Sequence, residues 1–76
     1  MLEIEERVLL LGIFKKEDDE SLDNIVQKLE DAGVFTYKDG KKLLKSLRNR
    51  GYIEDQSLTV SGIEKGKEIE QEFKLQ

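Results

Sequence analysis

The sequence contains no cysteine, no histidine and no proline. Without cysteine there is no disulfide, and without cysteine or histidine the common zinc sites and the usual nucleophile–base pairs of enzymes have no residues to build them. We therefore expect no metal centre, no cofactor and no catalytic activity. The acidic run at residues 17–20 lacks the alternating ligands and the glycine of a calcium loop. We expect that run, and the acidic residues Glu3, Glu5 and Glu6, to face solvent.

The chain also lacks a long hydrophobic run, since the longest is the seven-residue stretch at positions 8–14. That stretch is too short to span a membrane, and the residues before it are acidic rather than basic, unlike those of a secretion signal. Because there is no proline and no low-complexity segment, no linker is visible, and we expect one cytoplasmic domain over residues 1–76. So small a domain must be stabilised by helix packing or by self-association.

The first periodic segment predicts a helix from Ile4 to about Phe14. Ile4, Val8 and Leu11 share one side of that helix, so we expect them to face the core. Leu9, Leu10 and Ile13 widen the apolar surface beyond one face. Neighbouring helices can cover this surplus, or it can form a homodimer contact through the first and last helices, together with Phe73 and Leu75.

Two further helices follow, each with a capping signal at its start. The second is predicted over residues 22–32, with Ser21 as its N-cap and Gly33 as its left-handed stop. Thr36 begins the third, which is predicted over residues 36–50 and is ended by glycine. On this third helix the residues expected to face inward are Tyr37, Gly40, Leu43, Leu44 and Leu47.

The remainder of the chain predicts a hairpin and a fourth helix. Residues 52–53 and 58–60 are prone to form strands, and the polar residues 54–57 suit a turn between them. Ser61 is the expected cap of a last helix over residues 62–73. The residues expected to be mostly buried are Leu22, Ile25, Val26, Leu29, Leu43, Leu44, Leu47, Ile53, Val60 and Ile69, and Ile63 and Phe73 are expected to pack on them.

Two glycines carry specific expectations. Gly51, at the end of the third helix, should adopt a positive φ. Gly66 lies inside the fourth helix, where it costs about 1 kcal/mol relative to alanine, and this cost predicts a close helix contact at that point.

Positive charge is concentrated in one segment of an acidic chain. The net charge is −4, yet residues 36–51 carry six cations and one anion. Residues 1–35 hold four cations and ten anions, and residues 53–76 hold three cations and six anions. A basic helix placed by an acidic scaffold is typical of a recognition element for nucleic acid.

The order of helix, helix, glycine turn, basic helix, hairpin and final helix resembles that of a winged helix-turn-helix domain. Residues 47–53, Leu-Arg-Asn-Arg-Gly-Tyr-Ile, are similar to the junction between the recognition helix and the first wing strand of such proteins. Residues 58–66 are similar to the second wing strand and the helix that follows it. The resemblance covers nearly the whole chain and implies a mainly α fold of about four helices with a small two-stranded β-hairpin, the wing.

In this family the recognition helix enters the major groove of duplex DNA. The resemblance therefore implies a sequence-specific double-stranded DNA-binding protein, most simply a transcriptional regulator, with residues 36–50 in the groove. A typical wing tip is basic, whereas residues 54–57 here read Glu-Asp-Gln-Ser, so binding is expected to centre on the helix. The predicted DNA-binding residues are Lys38, Lys41, Lys42, Lys45, Arg48, Asn49 and Arg50, with Lys41, Arg48 and Arg50 chiefly on phosphate.

Two other interpretations remain open. A protein interaction module could dock an acidic partner on the same helix, and the overall acidity and the acidic wing favour that alternative. The basic residues could also form an ordinary solvated helix face, although such a face in an acidic protein would mix glutamate with lysine at i,i+4 spacing.

Overall fold

The computed structural model describes residues 2–74. They form four helices and one two-stranded antiparallel sheet, which confirms the predicted mainly helical class with a small hairpin. Among the residues described, no helix is both long and apolar enough to cross a membrane. The elements are α1 (Ile4–Phe14), α2 (Leu22–Asp31), α3 (Tyr37–Asn49), β1 (Ile53–Glu54), β2 (Ser57–Leu58) and α4 (Val60–Lys74).

The helices α2 and α3 begin where their capping residues predict. The Ser21 hydroxyl accepts the backbone N–H of Asn24 at 3.0 Å, and the Thr36 hydroxyl accepts that of Asp39 at 3.1 Å. Each cap satisfies a donor that the first helical turn leaves without a partner. Gly33 follows α2 with a φ of 80°, as expected of a left-handed helix stop.

The inward face of α1 differs from the prediction. This helix packs against all three others, and its buried apolar residues are Leu9, Leu10 and Ile13. The predicted core face of Ile4, Val8 and Leu11 was wrong in part: Ile4 is 55% exposed, whereas Val8 is half-buried and Leu11 is half-buried against the core. Because apolar residues surround most of α1, periodicity alone does not select one side. The packing of α3 and α4 selects it.

The predicted hairpin is present, but its strand bounds differ from the prediction: residues 54 and 57, expected in the turn, pair with each other, and Val60, expected in the second strand, begins α4. Ile53 pairs with Leu58 and Glu54 with Ser57, so each strand has two residues. Asp55, at the turn, has a φ of 55°, a conformation that aspartate tolerates better than most residues.

The start of α4 corrects a second prediction. Ser61 is not the cap; the Thr59 hydroxyl accepts the N–H of Gly62 at 3.1 Å and donates to the carbonyl of Gly51 at 2.6 Å. The helix therefore begins at Val60, two residues earlier than expected. Val60 was predicted to be buried and is 74% exposed, because its place in the first turn directs it away from the core.

The core otherwise follows the sequence. Of the ten residues predicted to be mostly buried, Leu29 and Leu43 are half-buried, and the buried ones are Leu22, Ile25, Val26, Leu44, Leu47, Ile53 and Ile69. Gly51 has the expected positive φ, at 84°.

The helices α1 and α4 cover each other's apolar surface. Gly66 is buried against Phe14, and a Cβ atom at this glycine would lie 2.7 Å from Phe14 Cγ, which confirms the predicted close helix contact. Phe73 also packs against the core. Much of the surface cited for a homodimer is thus covered within one chain, and Leu75 lies outside the described residues. The homodimer stays a prediction.

Candidate nucleic-acid interface

The orientation of α3 is set by its buried side. Gly40, Leu44 and Leu47 are buried against the other elements. A Cβ atom at Gly40 would lie 2.6 Å from the Phe35 ring and 2.7 Å from Val26, so α3 sits closely on α2. With those positions inward, the helical repeat of 3.6 residues directs the opposite side to solvent.

Three lysines lie along that outward side. Lys38, Lys42 and Lys45 are all exposed, and we refer to them as the lysine stripe. Within residues 2–74, none of the three forms an ion pair or a side-chain hydrogen bond. Asn49 is exposed on the same side, one turn after Lys45. The stripe therefore presents three positive charges that no described residue neutralises.

The other three predicted binding residues contact the protein itself. Lys41 Nζ lies 3.2 Å from a carboxylate oxygen of Asp23. Arg48 Nη2 donates to the backbone carbonyl of Asp55 at 2.8 Å, which ties α3 to the hairpin turn. Arg50 pairs with Glu6, a residue of α1. The six cations of this segment thus form two groups. One is the lysine stripe, and the other consists of the three residues with internal partners, which we call the edge residues: Lys41, Arg48 and Arg50.

Glu6 is a buried carboxylate between α1 and α3, 4% exposed. Its Oε2 accepts a hydrogen bond from the Ser46 hydroxyl at 2.9 Å and lies 3.5 Å from Arg50 Nε. Its Oε1 accepts the backbone N–H of Glu3 at 3.2 Å. The prediction that Glu6 faces solvent was wrong. Burying a carboxylate without hydrogen-bond partners would be costly. The burial of Glu6 is tolerated because each of its oxygens has a partner.

A second contact joins α2 to the start of α3. One oxygen of Asp23 accepts hydrogen bonds from the Tyr37 hydroxyl and from Lys41. The Lys41 amine also lies 5.8 Å from the centre of the Tyr37 ring, within the range of a cation–π interaction. The hydrogen bonds from Tyr37 and Lys41 hold the pKa of Asp23 below its usual value, and the same bond to Asp23 raises the pKa of Tyr37.

Glu30, also on α2, holds the backbone at the same end of α3. Its Oε2 accepts the N–H of Tyr37 at 2.8 Å. The start of α3 therefore contacts two carboxylates of α2. Glu30 accepts a backbone N–H, and Asp23 accepts hydrogen bonds from the side chains of Tyr37 and Lys41.

The hairpin turn beside α3 is acidic and held in place. Glu54, the last residue of β1, and Asp55 are exposed there, and within residues 2–74 neither forms an ion pair. The Gln56 side chain accepts the backbone N–H of Leu22 at 3.3 Å, and Arg48 holds the Asp55 carbonyl. The turn is thus fastened to both α2 and α3, with its negative charges outward.

A surface depression lies away from α3, between α1, β2 and α4. Its volume is about 320 Å³, and its lining includes Phe14, Leu58 and Ile63. Ile63 was expected to pack on the core, but 40% of it is exposed here. Within residues 2–74, no three acidic side chains come together in a way that could hold a metal ion.

The periodicity of α3 was enough to find the lysine stripe, but it could not find the internal partners. Asp23 and Glu6 are far from Lys41 and Arg50 in sequence and give no local signal of these pairs. A partial signal for Glu6 is its place three residues after Glu3, a spacing at which the two residues form the reciprocal bonds of a capping box.

Comparison of the chain with protein-family models, with curated proteins and with solved structures finds no match.

Proposed function

We propose that this chain is a winged helix-turn-helix domain that binds double-stranded DNA with α3 in the major groove and acts as a transcriptional regulator. The order of the elements supports the fold: three helices lead into a two-stranded hairpin, and a helix returns from it to pack on α1. In such a fold the third helix is the one exposed to the groove.

The lysine stripe is the observation that carries the proposal. Its three charges stand on one outward side of a helix, spaced by one turn, without anions among them. An ammonium group on a flexible stem can bind a phosphate or donate to the O6 and N7 acceptors of guanine. The stripe can therefore supply both attraction to the duplex and contacts to base edges.

The edge residues have a secondary part in this proposal. Lys41 and Arg50 are each about half exposed and can reach phosphate only by leaving or sharing a carboxylate. Arg48 donates to a carbonyl that carries no net charge, so its own charge remains available to phosphate. Asn49 is one turn beyond the stripe and would meet the DNA backbone or the last base of the site.

The acidic hairpin turn restricts how DNA can approach. Glu54 and Asp55 would repel phosphates, so the duplex has to lie along α3 without a close contact at the tip of the wing. Binding then depends on one helix per protomer, and its electrostatic part should be modest.

The test is duplex binding by fluorescence anisotropy at about 50 mM salt. Replacing all three lysines of the stripe by glutamine should abolish most binding while leaving thermal stability nearly unchanged, since exposed charges contribute little to folding. The matched control replaces Lys65, Lys67 and Lys74 on α4, which alters net charge equally on another element. The proposal is rejected if the parent does not bind, or if the two triple variants lose affinity equally.

The salt dependence measures how many cations contact phosphate. Four neutralised phosphates, one for each lysine of the stripe and one for Arg48, predict a slope of log K against log salt of about −3.6, which is a loss of about 150-fold between roughly 50 and 200 mM. Six would predict about −5.4 and a loss above about 1,000-fold. We expect the smaller slope, because Lys41 and Arg50 already pair with carboxylates.

A protein partner is the second candidate, favoured by one observation. Two cations of α3, Lys41 and Arg50, already bind carboxylates in this structure, so the chemistry of α3 suits acidic side chains as well as phosphate. If the parent shows no affinity for any duplex at low salt, acidic peptides are the ligands to test against the same two triple variants.

A further inference from the structure

The contact between Asp23, Tyr37 and Lys41 lies directly beside the lysine stripe. Lys41 is three residues after Lys38 and four before Lys45, so it neighbours both on the helix surface. A duplex lying on the stripe would bring one phosphate strand close to this contact. In the structure its two donors, a hydroxyl and an ammonium, already meet on one carboxylate oxygen.

We infer that Asp23 is an internal competitor for a DNA phosphate, occupying the donors of Tyr37 and Lys41 and thereby weakening duplex binding. The inference rests on the proposed function of α3. A phosphodiester oxygen and a carboxylate oxygen both carry negative charge and accept the same bonds, so the two anions compete for one place. While Asp23 is bound to Lys41, an approaching phosphate encounters a carboxylate and an ammonium group whose charges cancel.

The contact is accessible and exchangeable. The side chain of Asp23 is 54% exposed and that of Lys41 46% exposed, so a phosphate can reach both without opening the core. Ion pairs at such exposure are weak, because water screens them. The competitor therefore lowers affinity without blocking the surface.

Asp23→Ala removes the competitor. We expect it to tighten duplex binding about three- to tenfold at low salt, the effect of deleting one unit charge at contact range and releasing two donors. Glu64→Ala is the control, since Glu64 is an exposed acid on α4 and its loss changes the net charge equally. It should alter affinity by less than about twofold, because salt screens distant charges. Thermal melts check that both variants fold.

A charge-neutral substitution separates competition from general electrostatics. Tyr37→Phe keeps the ring and removes only the hydroxyl donor. In the parent that donor is held by Asp23, so its loss should change affinity by less than about twofold. In the Asp23→Ala background the hydroxyl is released to phosphate, and its loss should weaken binding about three- to tenfold.

The outcomes distinguish this inference from the function on which it rests. A greater gain for Asp23→Ala than for Glu64→Ala, with a Tyr37→Phe effect confined to the Asp23→Ala background, supports it. Equal gains for the two alanine variants, or an equal Tyr37→Phe effect in both backgrounds, overturn the inference while the proposed function stands. If neither the parent nor any variant binds duplex DNA, both are overturned.

Discussion

Glu6 allows a stringent test of how α3 is held against α1. Glu6→Ala deletes a carboxylate that is 4% exposed and removes the acceptor of the Ser46 hydroxyl, 2.9 Å away. It also leaves Arg50 without its partner, although that arginine is 43% exposed and can be hydrated. The substitution therefore breaks the only side-chain hydrogen bond between α1 and α3 among residues 2–74.

The expected loss follows from these contacts. A hydrogen bond to a charged group contributes about 1.5–3 kcal/mol, and the lost methylenes of the side chain add to the cost. The exposed arginine pair adds little, and releasing a buried charge offsets part of the loss. We expect the free energy of unfolding to fall by about 2–3 kcal/mol. A domain of this size has about 4–11 kcal/mol in total, so the melting temperature should drop by about 10–20 °C.

Urea unfolding followed by circular dichroism measures this effect. Glu6→Gln keeps the shape and one acceptor oxygen and should cost about 1 kcal/mol. Glu5→Ala, one residue earlier and exposed, is the control and should cost less than about 1 kcal/mol. If Glu6→Ala is no more destabilising than Glu5→Ala, the buried carboxylate does not fasten α3 against α1.

Three further predictions concern stability and titration. Gly66→Ala should destabilise by about 1–3 kcal/mol despite alanine's better helix propensity, because the new Cβ would lie 2.7 Å from Phe14; an unchanged melting temperature would contradict this. Gly51→Val should cost about 1 kcal/mol or more in chemical unfolding, because φ is 84° there, and Gly51→Asn should cost less. The pKa of Tyr37, followed by tyrosinate absorbance, should be above its ordinary value and fall towards it in Asp23→Ala. Because the pKa of Tyr37 is raised on folding, its hydrogen bond to Asp23 stabilises the fold at pH values below the ordinary tyrosine pKa. This stabilisation is lost as the pH rises through the raised pKa. A tyrosine pKa that is the same in Asp23→Ala as in the parent would exclude the bond.

Local signals predicted α2 and α3 well. Both have apolar residues on one side only, and a hydroxyl at the cap accepts a backbone N–H in each. For such helices the sequence determines where they begin and which side is buried, and the lysine stripe follows directly from the burial of Leu44 and Leu47. Periodicity therefore predicts a site whose residues belong to one helix.

Local signals gave wrong predictions where tertiary contacts decide which side of a helix is buried or which residue caps it. Apolar residues surround α1, so the choice of Leu9 and Leu10 over Ile4 depends on neighbours distant in sequence. Thr59 and Ser61 are both good caps for α4, and Thr59 is used because its hydroxyl also reaches the Gly51 carbonyl. Local propensity gave no basis for choosing between them.

The internal partners of α3 reduce its available positive charge and, under the proposed function, affect its selectivity. Asp23 and Glu6 neutralise two of the six cations in this segment, and the acidic hairpin turn discourages contact beyond the helix. Non-specific affinity grows with the number of phosphates neutralised, whereas base contacts depend on a few well-placed side chains. A domain that limits its charge while keeping Lys38, Lys42 and Lys45 outward therefore lowers its affinity for arbitrary DNA more than for its preferred site. The acidic scaffold then raises the ratio of the affinity for the preferred site to the affinity for arbitrary DNA. This ratio determines occupancy of the preferred site when competing sites are in excess.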